Sequence, residues 1–351
     1  MNRPSISGLT QEEFEYYSRQ IVLKDFGLEG QRKLKNAKVC VVGAGGLGSP
    51  ILTQLASMGV GTIRIVDRDV VEISNLQRQH LYGVNVVGVP KVEAAQNRLS
   101  QLNPYIEVEP VPLSVTDVNA ENLIRDMDVV VDALDSMRAR YAVNRACHEL
   151  AKPLVHGAVI MEIGSATTII PEKTACIECF QGGIKDEDLP SCSVMGVHPA
   201  VINLIASIQV SEVVKIILCE KPTLANYLLF ADLQDLSIEK VKISKSDSCP
   251  ICGTNPKPKP RKNEEPLFEE ICGREGRRVF IFSPNNDMNI NLNQVNSSIN
   301  VQGFITTMEA KLGTSFKKGE IKGSILRSGV TIIEGVKSKE EALKIRNSIL
   351  P

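Results

Sequence analysis

The sequence predicts an α/β fold: a Rossmann-like, doubly wound and largely parallel sheet, followed by a small α+β domain. Three observations carry this. A short apolar run, KVCVV at Lys38–Val42, enters a glycine-rich turn and then an amphipathic helix. Strand-length apolar runs then alternate with helical periodicity, the order that builds parallel sheets. Beyond residue 253 a Pro- and charge-rich stretch separates a tail with its own alternation. A chain of 351 residues has room for one large domain or two, and 43% hydrophobic with 23% charged residues excludes wholesale disorder.

The elements follow in order. After Lys38–Val42, Leu47, Ile51, Leu52, Leu55 and Met58 recur at helical spacing until Gly59 ends the helix. Thr62–Val66 closes a βαβ unit, predicting parallel strands and a right-handed crossover. Lys91–Leu102 reads as an amphipathic helix stopped by Asn103-Pro104, Asp128–Asp132 as a buried strand, Met137–Leu150 as a helix and Pro153–Ala158 as a strand. His198–Leu218 is apolar on most sides; its length would suit a membrane, but Glu212 and Lys215 within it favour a buried core helix. Residues 254–266 read as a linker. In the tail, Val279–Phe282 and Ser324–Ile333 read as strands and Ser338–Ile349 as a closing helix.

Charge nearly balances, at −1 overall, which argues against a dedicated nucleic-acid binder. Residues 255–351 carry 16 basic and 11 acidic side chains against 24 and 30 before them, an asymmetry expected of a separately folded basic tail. The N-terminal residues lack the apolar core of a signal peptide, and no membrane span is expected, so the chain is placed in a reducing cytoplasm. There, nine cysteines point to metal or catalysis rather than a disulfide framework.

The pattern Gly43-x-Gly45-x-x-Gly48, with a strand before and a helix after, lets the backbone approach a phosphate at free helix N–H groups. Asp67, ending the next strand, is placed to hold a ribose. On these features alone NAD binding is the default reading, although the glycine pattern by itself does not choose NAD over ATP. Arg78 and Lys91 favour ATP, because hydride transfer has no use for two cations beside phosphates whereas triphosphate chemistry does. Cys176-x-x-Cys179 and Cys249-x-x-Cys252 have the spacing of a closed tetrahedral Zn²⁺ site; a redox dithiol is the lesser alternative. Cys40, Cys147 and Cys219 read as core packing. The histidines form no motif: His156 ends a strand near the predicted site and His198 follows the Cys192 loop, and both read as structural.

Arg19-Gln20, GAGGLGSP, GVGTIRIVDRDVVEISNLQRQ, Lys91, Asn103-Pro104, DALD and the paired cysteines together resemble the MoeB/ThiF/HesA family of adenylating enzymes, over about residues 10–253. The resemblance implies an adenylation domain over residues 1–253, with residues 267–351 a small α+β domain of unassigned role. It implies ATP-dependent activation of the C-terminal glycine of a small ubiquitin-like carrier ending in Gly-Gly, of the MoaD or ThiS type, by a homodimer using Mg²⁺. By the same resemblance Gly43, Gly45, Gly46 and Gly48 face the phosphates, and Asp67 with Asp69 holds the ribose side. Ser74, Asn75, Leu76, Gln77 and Arg78, with Lys91, bind the triphosphate, and Asp135 holds Mg²⁺. Ser136 stands where the family usually has Asn, which leaves one nucleotide contact open. Arg19 resembles the arginine that reaches into the partner subunit's site. Cys192, in a polar loop, corresponds to a cysteine that forms a covalent carrier adduct in some branches; in others a separate sulfur donor acts. An NAD-dependent oxidoreductase and a non-catalytic scaffold are the rival readings.

Overall fold

The computed structural model describes residues 8–188, 195–254, 266–272 and 278–350. Most of the expected linker (255–265) and Cys192 lie outside the described residues.

The chain opens with three helices, α1 (Gln11–Tyr16), α2 (Ser18–Ile21) and α3 (Gly27–Asn36). The βαβ unit follows: β1 (Lys38–Val42), α4 (Gly48–Met58) and β2 (Thr62–Val66), with β1 and β2 parallel. Next come α5 (Lys91–Leu102), β3 (Glu107–Val111), α6 (Ala120–Ile124), β4 (Val129–Asp132), α7 (Met137–Glu149) and β5 (Leu154–Ile160). Strands β6 (Ile163–Ile169), β7 (Tyr227–Asp232) and β8 (Ser237–Lys242) complete an eight-stranded sheet of order β3-β2-β1-β4-β5-β6-β7-β8. Its first five strands are parallel and its last three antiparallel. Between β6 and β7 run α8 (Ile177–Phe180) and the long α9 (Pro199–Ile217).

Period-two alternation in β1 sorts the core into two layers. Val39 and Val41 face α3, α4, α5 and α9 through Leu34, Leu52, Leu99 and Ile205. Cys40 and Val42 face α6 and α7 through Ile124 and Val143. Each such fully buried aliphatic contributes about 1.5–3 kcal/mol. Among the described residues α9 is the one helix long and apolar enough to span a membrane, yet it packs on α4, β5 and β6. Its buried Glu212 accepts from the amide of Leu224 (2.8 Å), the hydroxyl of Thr168 (2.8 Å) and Lys215 (2.8 Å), so the charges on this helix are paired within the fold.

Residues 267–350 form a second sheet of order β11-β12-β13-β14-β10-β9, from β9 (Leu267–Cys272), β10 (Arg278–Ser283), β11 (Ile305–Glu309), β12 (Gly313–Lys318), β13 (Ile321–Leu326) and β14 (Thr331–Glu334). Helices α10 (Leu292–Val301) and α11 (Lys339–Ile349, capped by Ser338) cover one face through Val295, Phe316, Phe280 and Ala342. The single strand expected over Ser324–Ile333 is two, because the chain reverses at Ser328-Gly329, where Gly329 takes φ +92°. The opposite face is covered over part of its area. Ile281, Leu326 and Val330 join the α6–α7 layer of the first sheet, and Leu312 joins the other layer. The tail is thus docked, not tethered. Cys219 also departs from expectation: it follows the end of α9 at φ +63° and is exposed, while Cys40 and Cys147 are buried as expected.

Candidate active site

The strand order reverses between β1 and β4, and ligands of open α/β sheets gather beyond the strand ends at such a point. Gly43 leaves β1 at φ +98°, and a Cβ there would lie 2.5 Å from the carbonyl oxygen of Ala133 on the β4 side. A Cβ on Gly48 would overlap the carbonyl oxygen of Gly43. Only glycine closes this turn, which carries Gly45 and Gly46 and aims the start of α4 into the crevice. The amide of Ala44 donates to Asp67 Oδ2 (2.7 Å), and Tyr82 donates to the Ala44 carbonyl (2.8 Å), so the loop is held from two sides.

Asp67, Asp69 and Lys91 form a single charge group, in which Lys91 is buried and the two aspartates are half-buried. Asp67 Oδ1 accepts from the amide of Asp69 (2.7 Å), and Lys91 Nζ lies 2.7 Å from Asp69 Oδ2. Burial pushes the Asp67 carboxyl up; Asp69 is held below its ordinary range because Lys91 and Arg68 outweigh its burial. Lys91, 4% exposed, stays charged despite desolvation because Asp69 and Asp67 flank it. A buried cation with carboxylates on one side is a ready counter-ion for an anion on the other.

The turn Ser74–Arg78 is held largely by its own neighbours. Asn75 is buried and its Oδ1 accepts from the amide of Glu72 (3.2 Å), while Ser74 Oγ donates to Glu72 Oε2 (3.1 Å). Arg78 Nη1 donates to the Ser74 carbonyl (2.9 Å). Leu76 is half-buried and Gln77 exposed. Asp135 is exposed beyond β4, close enough to act on the charges of both Arg68 and Lys91. An accessible carboxylate in an open crevice suits Mg²⁺, a hard ion that takes oxygen ligands and keeps several waters. Ser136 is otherwise engaged: it caps α7 and its Oγ donates to Asp186 Oδ2 (2.9 Å).

Beneath Asp135 lies a buried triad. Asp132 Oδ2 is 2.6 Å from His156 Nδ1 and 3.5 Å from Arg140 Nε, while Asp132 Oδ1 accepts from the amide of Leu134 (2.9 Å). Arg140 donates to the carbonyls of Leu134 and Gly157. Burial drives the His156 pKa down, so the ring is neutral and structural.

On the other face, Cys176, Cys179, Cys249 and Cys252 bring their sulfurs within 4.8 Å of one another. Cys176–Cys249 and Cys179–Cys252 are 3.6 and 3.3 Å apart. A tetrahedron with Zn–S near ~2.3 Å has edges of about 3.8 Å, so the donor set fits Zn²⁺. Without a cation, burial and the neighbouring thiols push Cys252 up to about 12, a crowding that a divalent ion relieves.

The ThiF family profile matches residues 17–251. The chain belongs to the ThiF family. It is 40% identical over 270 residues to a sulfur carrier protein adenylyltransferase of Thermus thermophilus, covering 75% of this chain and 98% of that one. It is 40% identical over 246 residues to the SAMP-activating enzyme E1 of Haloferax volcanii, covering 70% and 91%. Among solved structures it is similar to E. coli MccB with ATP, at TM-score 0.61 and 26% identity over 70% of this chain and 75% of that one.

In this ThiF-family chain Arg19 is exposed on α2, whose Gln20 bonds the carbonyl of Met58 at the far end of α4, a helix length of roughly 16 Å from the glycine loop. Within one chain Arg19 is therefore not brought to the crevice. Sequence reasoning did not single out Arg68, Arg140, Asp186, Gln79 or Glu269. Gln79 is 3% exposed with Oε1 unpartnered, and its amide nitrogen overhangs Gly45. Its place beside Arg78 was the available signal. Asp186 caps α7 from a distant loop, and Glu269 comes from the tail, so neither had one.

Proposed function

We propose that this ThiF-family chain is a nucleotidyltransferase that activates the C-terminal glycine carboxylate of a small ubiquitin-like carrier protein by adenylation. The carboxylate is already ionised at neutral pH, so no general base is needed. Its oxygen attacks the α-phosphorus of ATP; the new O–P bond forms as the bond to the β-phosphate oxygen breaks, and pyrophosphate leaves. The glycine loop and α4 N-terminus orient the phosphates, Asp67 holds the ribose, and Arg78, Asn75 and Lys91 balance the charge that builds on the leaving oxygens. Asp135 would hold Mg²⁺, which when bound neutralises phosphate charge. The observation that carries this reading is the Asp67–Asp69–Lys91 group, with its buried lysine, fixed beside the glycine loop within a ThiF-family chain. A dinucleotide oxidoreductase gives Lys91 nothing to do, and the relatives named above include adenylyltransferases.

The same reading makes the working unit a homodimer in which Arg19 serves the partner subunit's crevice. It assigns residues 1–253 to adenylation, places the chain in a reducing cytoplasm where four thiols stay free for zinc, and leaves Cys192 as the candidate for a second, covalent step. If that thiol is not used, a separate sulfur donor receives the adenylate. ATP–pyrophosphate exchange tests the reading: it should depend on Mg²⁺ and on a carrier ending in Gly-Gly. Purified protein that exchanges no label with MoaD- or ThiS-type carriers, yet reduces or oxidises a nicotinamide, would overturn it.

A further inference from the structure

The ThiF match ends at residue 251, yet the domain beyond it presses on the loops that make the nucleotide crevice. Ser315 Oγ donates to the carbonyl of Gly88 (2.8 Å), just before Lys91. The amides of Lys311 and Leu312 donate to the carboxylate of Glu93 on α5 (3.0 and 2.7 Å). Ser283 and Ser114 share a hydrogen bond of 2.6 Å, and Ser328 donates to the carbonyl of Pro112. Strand β9 thereby arrives in fixed register against β10, whose Ile281, opposite Glu269, is buried in the shared core. From β9, Glu269 forms an ion pair with Arg68, and Ser114 Oγ accepts from the same guanidinium at 3.3 Å.

Arg68 is the residue between Asp67 and Asp69, and its side chain is only 20% exposed. The carboxylates around it differ in commitments. Asp67 accepts two backbone amides, and Asp69 is paired with Lys91. Asp135 forms no ion pair among the described residues, and it lies near enough to act on Arg68's charge. A half-buried guanidinium relieved of Glu269 would seek a replacement among the carboxylates near it, Asp69, which Lys91 already holds, and Asp135, which has no ion pair among the described residues.

We propose that Glu269 is a positioning residue of the ATP site: the C-terminal domain supplies the counter-charge that holds Arg68 away from Asp135, leaving that carboxylate open to Mg²⁺. This rests on the adenylation reading. The carboxylate acts through Arg68 and touches neither nucleotide nor metal, so the domain is a working part of the crevice wall.

The test uses the full chain and a non-hydrolysable ATP analogue, AMPCPP, with binding measured by calorimetry across a MgCl₂ titration. Glu269→Gln keeps the shape and removes the charge. It should raise the Mg²⁺ concentration for half-maximal binding by up to about fivefold, the scale of one partly exposed charge pair. Affinity without Mg²⁺ should change little. Glu269→Asp should recover most of the shift. Arg68→Met in the Glu269→Gln background should also restore the wild-type Mg²⁺ midpoint, because the intruding cation is gone. A purely structural Glu269 would lower the melting temperature, leave the Mg²⁺ midpoint unmoved and gain nothing from Arg68→Met; either an unmoved midpoint or an absent rescue overturns the proposal. Should Glu269→Gln fold poorly, Glu269→Met in the same titration decides: a raised Mg²⁺ midpoint supports the proposal and an unmoved one overturns it. Wild-type protein that binds no AMPCPP at any Mg²⁺ concentration defeats the adenylation reading itself, and this proposal with it.

Discussion

Asp132→Asn isolates the buried charge beneath the crevice. Asp132 is fully buried, as is His156, and Arg140 is 8% exposed. The substitution keeps an oxygen to accept the Leu134 amide, and neutral His156 can change tautomer to suit an amide. What disappears is the negative charge 3.5 Å from Arg140 Nε. Removing one partner of a buried ion pair costs about 3–5 kcal/mol. Arg140 keeps the carbonyls of Leu134 and Gly157, so the lower end applies, about 3 kcal/mol. For a domain of this size that is a melting-temperature drop of roughly 6–12 °C. The pH dependence has a definite sign. Burial alone would raise the Asp132 carboxyl, but Arg140 and the His156 hydrogen bond outweigh it and hold the group low. Its stabilising contribution is therefore present above about pH 4 and lost as pH falls through the lowered value, so wild type and variant should converge in acid. Thermal melts from pH 8 to pH 3 measure both effects. A drop of under ~1 kcal/mol near neutrality would refute the charge argument, as would strict additivity of Asp132→Asn with Arg140→Met, because the two groups would then not be coupled.

Three further outcomes are expected. Asp135→Ala should lower ATP–pyrophosphate exchange by at least ~100-fold while leaving the melting temperature within about 2 °C, since the side chain is exposed; near-normal exchange would remove Asp135 from the metal site. Elemental analysis should find one zinc per chain, and Cys249→Ser should release it and destabilise the fold far more than it changes AMPCPP affinity in the surviving protein. Zinc-free wild type with four titratable thiols would count against the four-thiolate assignment. Cys192→Ala should retain exchange, because adenylation uses no thiol, but lose any thiol-sensitive adduct with the carrier on a non-reducing gel; loss of exchange would show that the first step needs this cysteine.

The parts legible in the sequence are those decided by neighbours along the chain. Strand β1, its glycine turn and α4 were readable because alternation, helical spacing and the Gly59 stop lie within about twenty residues, and Lys91–Leu102 has the predicted bounds. The hairpin inside Ser324–Ile333 was misread because apolar residues continue through the turn, and the one contrary signal was Gly329. Cys219 was misread because an apolar helix precedes it, though it emerges past the helix end. The antiparallel edge β6–β8 escaped because β8 carries mostly exposed residues, including three charged ones, and gives no hydrophobic run. In the candidate site, the glycines, Asp67, Arg78, Lys91 and Asp135 could be named from local pattern. Arg68 with Glu269 could not, because that pair joins residues 201 apart whose meeting depends on how one sheet face settles on another.

The docked tail also has a consequence for how the protein is made. Ribosomes deliver the chain from its N-terminus at about 5–20 residues per second, and folding units form as they emerge. The surface around Arg68, Glu93, Leu113 and Ser114 is complete long before Glu269, Ser283, Leu312 and Ser328 have been synthesised. For roughly 5–20 s a half-made molecule would carry an uncovered apolar ledge and an unanswered guanidinium beside its nucleotide crevice. Early nucleotide binding or a chaperone could shelter that ledge. A chain stopped after the fourth zinc-spaced cysteine would carry the vulnerable nascent surface permanently, and should aggregate where the finished protein stays dispersed.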